Sequence, residues 1–349
     1  MVVLLLTLLM AGQASAGKLT LSNKSNVPAQ YTTWIDAYEA AIPGDTIYIM
    51  PSPTNYGALS LYKPLTLIGP GHRSINEQVA TERVVTNDIN LYAGSSGTSV
   101  IGLETGHIYT FSTQVVDDIL IKNCRVRGHI EMAHSTTNRN WVIDGNIMTG
   151  TNQHIYTSGT SIILGGYIAN NVFLNNTFIH SIYNSNVLVT NNVFVGIWAG
   201  ATTEAINAST NLSISNNIFI GRHADPTNVR NCTFTNNLWY AENQTDIEVV
   251  DNFYLNNTVN TQPLFVNYDA STHNGNYNFN ETYAFDFTLQ AGSPGEAAGT
   301  DGANLGVGPN FSITGTSSNP QITYFQALST MVLGDGTIDV KIKAVSGSN

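Results

Sequence analysis

The segment "LVTNNVFVG", residues 188–196, carries the pattern that decides the fold: a short alternating apolar stretch, an asparagine doublet, and a second apolar stretch. It recurs as "LIKNCRVRG" at 120–128, "VIDGNIMTG" at 142–150, "YIANNVFLN" at 167–175, "SISNNIFIG" at 213–221 and "TFTNNLWYA" at 233–241. A seventh copy, "VVDNFYLNN" at 249–257, fits with a one-residue slip. The marker positions are Cys124, Asn146, Asn171, Asn192, Asn217, Asn237 and Asn252, with steps of 22, 25, 21, 25, 20 and 15 residues. A unit of ~20–25 residues with two short strands cannot bury its own apolar face, so neighbouring units must stack. Uneven spacing suits a solenoid whose loops absorb insertions while its strands stay in register. Val187 and Val189 are expected to face inward, with Asn192 and Phe194 continuing the same column. Helix is disfavoured because β-branched residues dominate and Asn interrupts every run.

The repeat resembles the right-handed parallel β-helix superfamily, the pectate-lyase-like fold, and the resemblance covers most of the chain. Its handedness is what the resemblance implies. Asparagines stacked at the strand spacing of about 4.8 Å can hydrogen-bond from rung to rung, which satisfies groups that a buried bend would orphan. Both ends support an all-β solenoid. "TTWIDAYEAAIPGDTIYIMPS" at 32–52 reads as a short amphipathic helix over 33–41, stopped by Pro43-Gly44 and followed by a first strand. It resembles the N-terminal cap of secreted β-helix proteins, and "KPLTLIGPG" at 63–71 resembles the next rung. "DFTLQAGSPGEAAGTDGANLGVGPN" at 286–310 resembles their closing coil, with Gly295 where relatives often carry Ala.

The organisation predicted is a signal peptide over 1–16, a β-helix domain over 17–310, a linker over 311–320 and a short β segment over 321–349. The leader rests on the apolar run from Val2 to Met10 and the small residues Ala14, Ser15 and Ala16. It implies a secreted or cell-surface protein, with no transmembrane segment in the mature chain. In the last segment, "TIDVKIKA" at 337–344 alternates as a half-buried strand. Of 349 residues only 13 are Lys or Arg, and the net charge is −11, which argues against a nucleic-acid partner. Cys124 and Cys232 fall five rungs apart, too far for a disulfide, so both are expected as free buried thiols. Sequons at Asn175, Asn211, Asn231, Asn243 and Asn256 are unsurprising in so Asn-rich a chain.

Nucleotide-binding, zinc-protease, redox and serine-hydrolase motifs are absent, and no Ca²⁺ motif occurs, although scattered Asp and Asn can ligate Ca²⁺ without one. No cofactor or metal ligand set is identified. Candidate chemistry therefore lies on the outer surface. "GHIYT" at 106–110, "GHIEM" at 128–132 and "QHIYT" at 153–157 place Ile108, Ile130 and Ile155 inward. Their flanks point out together: His107 with Tyr109, His129 with Glu131, His154 with Tyr156. Extending the aromatic column through "SIY" and "GIW" adds Tyr183 and Trp198, with His180 out of register. Such a column suits stacking on sugar rings, and equally suits simple stabilisation of the sheet. A neighbouring charged stretch places Lys122, Arg125, Arg127 and Glu131 outside, with Asp144 beside Lys122. In β-helix lyases a Lys or Arg base acts with cations that neutralise the uronate, so Lys122 or Arg125 as base and Arg127 as clamp is one arrangement. Glu131 with Asp144 is a hydrolase alternative, and a solvated ion-pair cluster a third. The reading is a secreted protein that binds or acts on an extracellular polysaccharide or cell-surface glycan, with lyase ahead of hydrolase if catalytic. The rival is a non-catalytic, adhesin-like surface protein.

Overall fold

The computed structural model describes residues 16–72, 83–111, 113–150, 155–175, 178–183, 185–196, 204–221, 223–224, 229–240, 251–271, 285–308, 311, 321–327 and 340–345. The expected leader, the linker, His154 and Trp198 lie outside these residues, apart from Ala16 and Phe311. The described chain winds into a parallel β-solenoid of about 8 turns. A full turn visits three sheets in a fixed order, as in Leu120–Lys122 on sheet A, Arg125–Val126 on sheet C and Ile130–His134 on sheet B. Among the described residues sheet A has eleven strands, sheet C seven and sheet B eight. Every pairing within them is parallel, for example Val142↔Leu120, Ile147↔Arg125 and Ile155↔Ile130.

The asparagine doublet explains how each turn closes between sheets A and C. Its first residue takes the left-handed conformation, with φ of 55° at Asn170, 54° at Asn191, 59° at Asn216 and 53° at Asn236. Asn enters this region at lower cost than most residues, and Gly145 fills it in one rung with φ of 68°. The second residue turns inward and forms the ladder. The Asn192 Oδ1 accepts from the Asn171 backbone N–H at 2.9 Å and from Asn171 Nδ2 at 3.0 Å, while Asn192 Nδ2 donates to Ile168 O at 2.9 Å. The same bonds repeat from Cys124 and Asn146 through Asn217 and Asn237.

The last rung differs from expectation. Asn237 donates its backbone N–H to Asn257 Oδ1, so the ladder continues to Asn257, 20 residues on, and the "slip" disappears. Asn252 instead accepts from the Cys232 backbone N–H at 2.9 Å at the corner between sheets B and A. Asp251, with φ of 74°, supplies the left-handed residue there, so "DN" at 251–252 repeats the doublet's physics at another corner. Four of the sequon asparagines, Asn175, Asn211, Asn231 and Asn256, also have positive φ, which gives them a turn-forming reason to be Asn. Asn243 lies outside the described residues.

Inward residues form axial columns. Phe173, Phe194, Phe219 and Trp239 stack with centroids 4.4, 5.0 and 4.7 Å apart. Val187, Val189, Asn192 and Phe194 are all buried, as the alternation requires. Cys124 and Cys232 are free and buried, and burial pushes their thiols up to about 12 and about 11. The helix Trp34–Ala40 is present, capped by the Thr33 side chain and burying Trp34 and Ala37 against the main core.

The outer face of sheet C is covered. Val193 and Val195, which flank inward Phe194, are themselves fully buried, as are Ile218 and Ile220 beside Phe219. Phe265, Phe287, Leu305, Val307 and Phe311 pack over them as a second core. The C-terminal coil runs back along the sheet: Thr300 donates to Asn216 Oδ1 at 2.9 Å, Asn191 donates to Asn304 O and Gly306 O, and Phe311 meets His72. Gly306, φ 68°, is required by close approach, since a Cβ there would sit 2.8 Å from Ile218 Cδ1 and 3.0 Å from Val193 Cγ2. The coil expected to close the stack therefore clads one of its sides. Farther on, Gln321–Ala327 and Val340–Val345 pair as an antiparallel hairpin.

The two doublet positions should respond differently to substitution. Asn192→Ala removes both acceptor bonds and leaves the buried Asn171 N–H orphaned, so it should cost about 3 kcal/mol. Asn123→Gly, at a left-handed position with φ of 51°, should stay within about 0.5 kcal/mol. Urea unfolding followed by circular dichroism checks both.

Candidate functional site

The outer face of sheet B gathers titratable and aromatic side chains from successive rungs. Two glycines make its tight start. A Cβ on Gly106 would lie 2.3 Å from Asn87 O, and one on Gly128 would lie 2.3 Å from His107 Cδ2. Glycine before each His thus lets the rungs close up and seats the His107 ring over Gly128, which accounts for the repeated "GHI".

Asp88, just before the strand Ile89–Leu91, anchors the cluster. Its Oδ1 accepts from the His107 backbone N–H and pairs with His107 Nδ1, both at 2.9 Å, and its Oδ2 accepts from the Tyr109 hydroxyl at 3.2 Å. Desolvation works to raise the Asp88 pKa, but the bonds from His107 and Tyr109 and the attraction of His107 outweigh it, holding the carboxyl below its usual range. His107 packs against His129 at 4.1 Å between ring centroids, and His129 meets Tyr156 edge-on at 5.1 Å. Desolvation first, then repulsion from His107, drive His129 down to about 4, so it is neutral near pH 7.

Glu131 is the second carboxylate, 8% exposed. It accepts from the Ser158 hydroxyl, pairs with His134 Nδ1 at 3.0 Å and hydrogen-bonds Tyr156. Burial, then the Glu131 charge and hydrogen bond, push the Tyr156 phenol up to about 12. Tyr109 is raised by desolvation, then by the charge of Asp88 and the hydrogen bond to it, with Glu131 adding to the effect.

The register corrects the continuation of the column. Tyr109, Glu131, Tyr156, His180 and Asn207 are consecutive partners, with Ile179 and Ile206 inward. His180 therefore occupies the position assigned to Tyr183, which lies past the strand Ile179–His180 and is 36% exposed. The step from Tyr156 to His180 is 24 residues, ordinary for this repeat, and the 27-residue step comes only afterwards, to Asn207.

A second aromatic row escaped the sequence reading. Tyr62, Tyr92 and Phe111 stack with centroids 4.2 and 4.5 Å apart and planes within 8° and 5°. Leu61↔Leu91 and Leu91↔Thr110 are paired residues, so the row follows one residue after each, a column the sequence shows if aligned on "LY", "LY" and "TF". Face-to-face stacking consumes the ring faces and turns ring edges outward, and Tyr62, 56% exposed, ends the row.

The charged stretch from Lys122 to Glu131 does not form one patch, because a rung of this length wraps around the whole solenoid. Lys122 lies on sheet A, where its Nζ meets Asp144 Oδ2 at 2.9 Å, the neighbour expected of it. Arg125, expected outside, is 1% exposed on sheet C, in the column that leads into the coil-covered core. Arg127 Nε lies 3.3 Å from Glu104 Oε1 and its Nη2 donates to Thr86 O, while Arg83 holds Glu104 from the other side at 2.7 Å. Glu131 on sheet B and Asp144 on sheet A face different ways and cannot flank one bond. Among the described residues no group of three or more His, Cys, Asp or Glu is placed to hold a metal, and no helix is long and apolar enough to cross a membrane.

The depressed His129 pKa has a sign-definite consequence. The unfolded chain binds that proton from about pH 6.5 and the folded one only near 4, so stability is lost as pH falls through this window. His129→Gln should flatten the decline between pH 6.5 and 4, read from urea midpoints across that range. No family model matches the chain, and comparison with curated proteins finds no match.

Proposed function

We propose that the chain is a secreted protein akin to the pectate-lyase-like β-helices that binds an extracellular polysaccharide through the outer face of sheet B. One observation carries this reading. An open face offers Asp88, His107, Tyr109, His129, Glu131 and Tyr156 as one connected polar network along the solenoid axis, with Tyr62 at the end of a parallel aromatic row. Hydroxyl, imidazole and carboxylate groups repeated at the rung spacing suit an extended polymer of repeating hydroxyls, and the exposed Tyr62 suits stacking against a sugar ring.

Binding is favoured over cleavage on two grounds. The Asp88 carboxylate already accepts three hydrogen bonds, which stabilise its ionised form and work against a poised general acid, and the Glu131 oxygens are engaged by His134 and Ser158. The lyase candidates Lys122 and Arg125 sit on other faces, one ion-paired and the other buried. The competing structural reading draws on the face-to-face stacking of Tyr62, Tyr92 and Phe111, which serves the sheet whether or not a glycan binds.

Affinity electrophoresis through gels containing soluble polysaccharides separates these readings. Retention of the wild-type protein is expected, with Tyr62→Ala and Tyr109→Phe each weakening it about five- to tenfold, the worth of one contact or hydrogen bond of roughly 1 kcal/mol. Unretarded migration in every gel would leave the structural reading standing. Release of unsaturated or reducing ends would show cleavage and overturn the preference for binding.

A further inference from the structure

We infer that the polysaccharide accepted by sheet B is an uncharged glycan and not a polyuronate, an inference that rests on the reading of this face as a glycan-binding surface. The charge carried by the face selects against an acidic polymer. Its acidic groups over the rungs from Asp88 to Tyr156 are Asp88 and Glu131, two rungs apart with Tyr109 between them and in contact with Asp88, and Glu204 adds a third farther along, beside Asn207. Its imidazoles do not offset them in a way a ligand can use. His107 is paired to Asp88, His134 is paired to Glu131, and His129 stays neutral above about pH 5, because its pKa lies near 4.

The nearest described guanidinium groups turn to another acid. Arg83 and Arg127 both engage Glu104, 8% exposed, from the strand Glu104–Thr105 on sheet C. Lys122 is held by Asp144 on sheet A, and Arg139 lies 3.7 Å from Asp117 on the same side of the solenoid as its strand, Thr137–Asp144. A uronate chain brings a carboxylate on every sugar. Laid along this column it would meet Asp88 and the Glu131 charge with no Lys or Arg among the described strand residues of sheet B to neutralise it, and like charges at close range repel. A neutral glycan brings hydroxyl donors instead. The Asp88 oxygens, on a side chain 32% exposed, and the phenol oxygens of Tyr109 and Tyr156 can accept from them. This selection runs opposite to the cationic groove that the lyase arrangement requires.

The experiment runs the full chain through gels containing either a soluble neutral β-glucan or galactomannan, or polygalacturonate or alginate, at low and at moderate salt. Retention by a neutral polymer, little changed by salt, with free migration in polyuronate, is the result expected. Asp88→Asn, which keeps the shape and lifts the charge, should raise polyuronate retention several-fold while the circular dichroism spectrum stays unchanged. Retention by polyuronate and not by neutral polymers overturns the inference and leaves the glycan-binding reading intact. Free migration in all four polymers overturns that reading, and the inference with it.

Discussion

The structure depends on a single recurring constraint: each turn must bend sharply between sheets A and C while the bend is buried. A buried bend leaves backbone N–H and C=O groups without ladder partners, and each orphan costs about 1–3 kcal/mol. The asparagine doublet solves both halves of the problem in two residues. The first adopts the left-handed conformation that makes the bend, and the second supplies an amide that accepts from the rung before it and donates to the sheet A carbonyl of that rung. Because this corner is fixed at two residues, variation in turn length is pushed to the other corners. Long strands such as Thr137–Asp144 and Ile162–Ala169 appear where the B-to-A connection is extended.

That division of labour governs the surface. On a wound ribbon, residues a few positions apart in sequence lie on different faces, and residues a full turn apart lie side by side. Lys122, Arg125, Arg127 and Glu131 are close in sequence and scattered in space, whereas Asp88, His107, His129 and Tyr156 are distant in sequence and in contact. Stacking also dictates how aromatic rows present themselves. Rings spaced at the rung distance lie flat on one another, so a long row has interior edges and few usable faces. A binding surface on such a row is built from hydroxyl edges and from its terminal ring.

The sequence carried most of the stack. Ile108, Ile130 and Ile155 face inward as alternation requires, and the ladder from Cys124 to Asn237 holds throughout. Asn252 misled because "DN" at the B-to-A corner obeys the same local rule as the doublet, so a short motif cannot say which corner it turns. His180 follows Tyr156 by 24 residues, a step the repeat allows, so the spacing favours it over Tyr183 at 27, and only the likeness of "SIY" to "HIY" points the other way. Alternation makes Arg125 outward, but outward is not the same as solvated on a sheet that is covered. A signal of that cover was present: "VFV" and "IFI" are apolar at all three positions, the mark of a strand covered on both faces, and Arg125 shares their outer column.

Coverage of sheet C and openness of sheet B follow from different side-chain economies. On sheet C the outward columns become aliphatic after Arg125, and the glycine-rich coil can approach them closely, as at Gly306. Sheet B keeps polar outward columns from Asp88 to His180, in which hydrogen bonds, ion pairs and ring contacts join neighbours on the same or adjacent rungs. An aliphatic cover laid there would desolvate two carboxylates and several phenol and imidazole groups without replacing their contacts with water. The polarity of that face thus opposes the kind of apolar cladding seen on sheet C, and what it can accept must bring hydrogen-bond donors of its own.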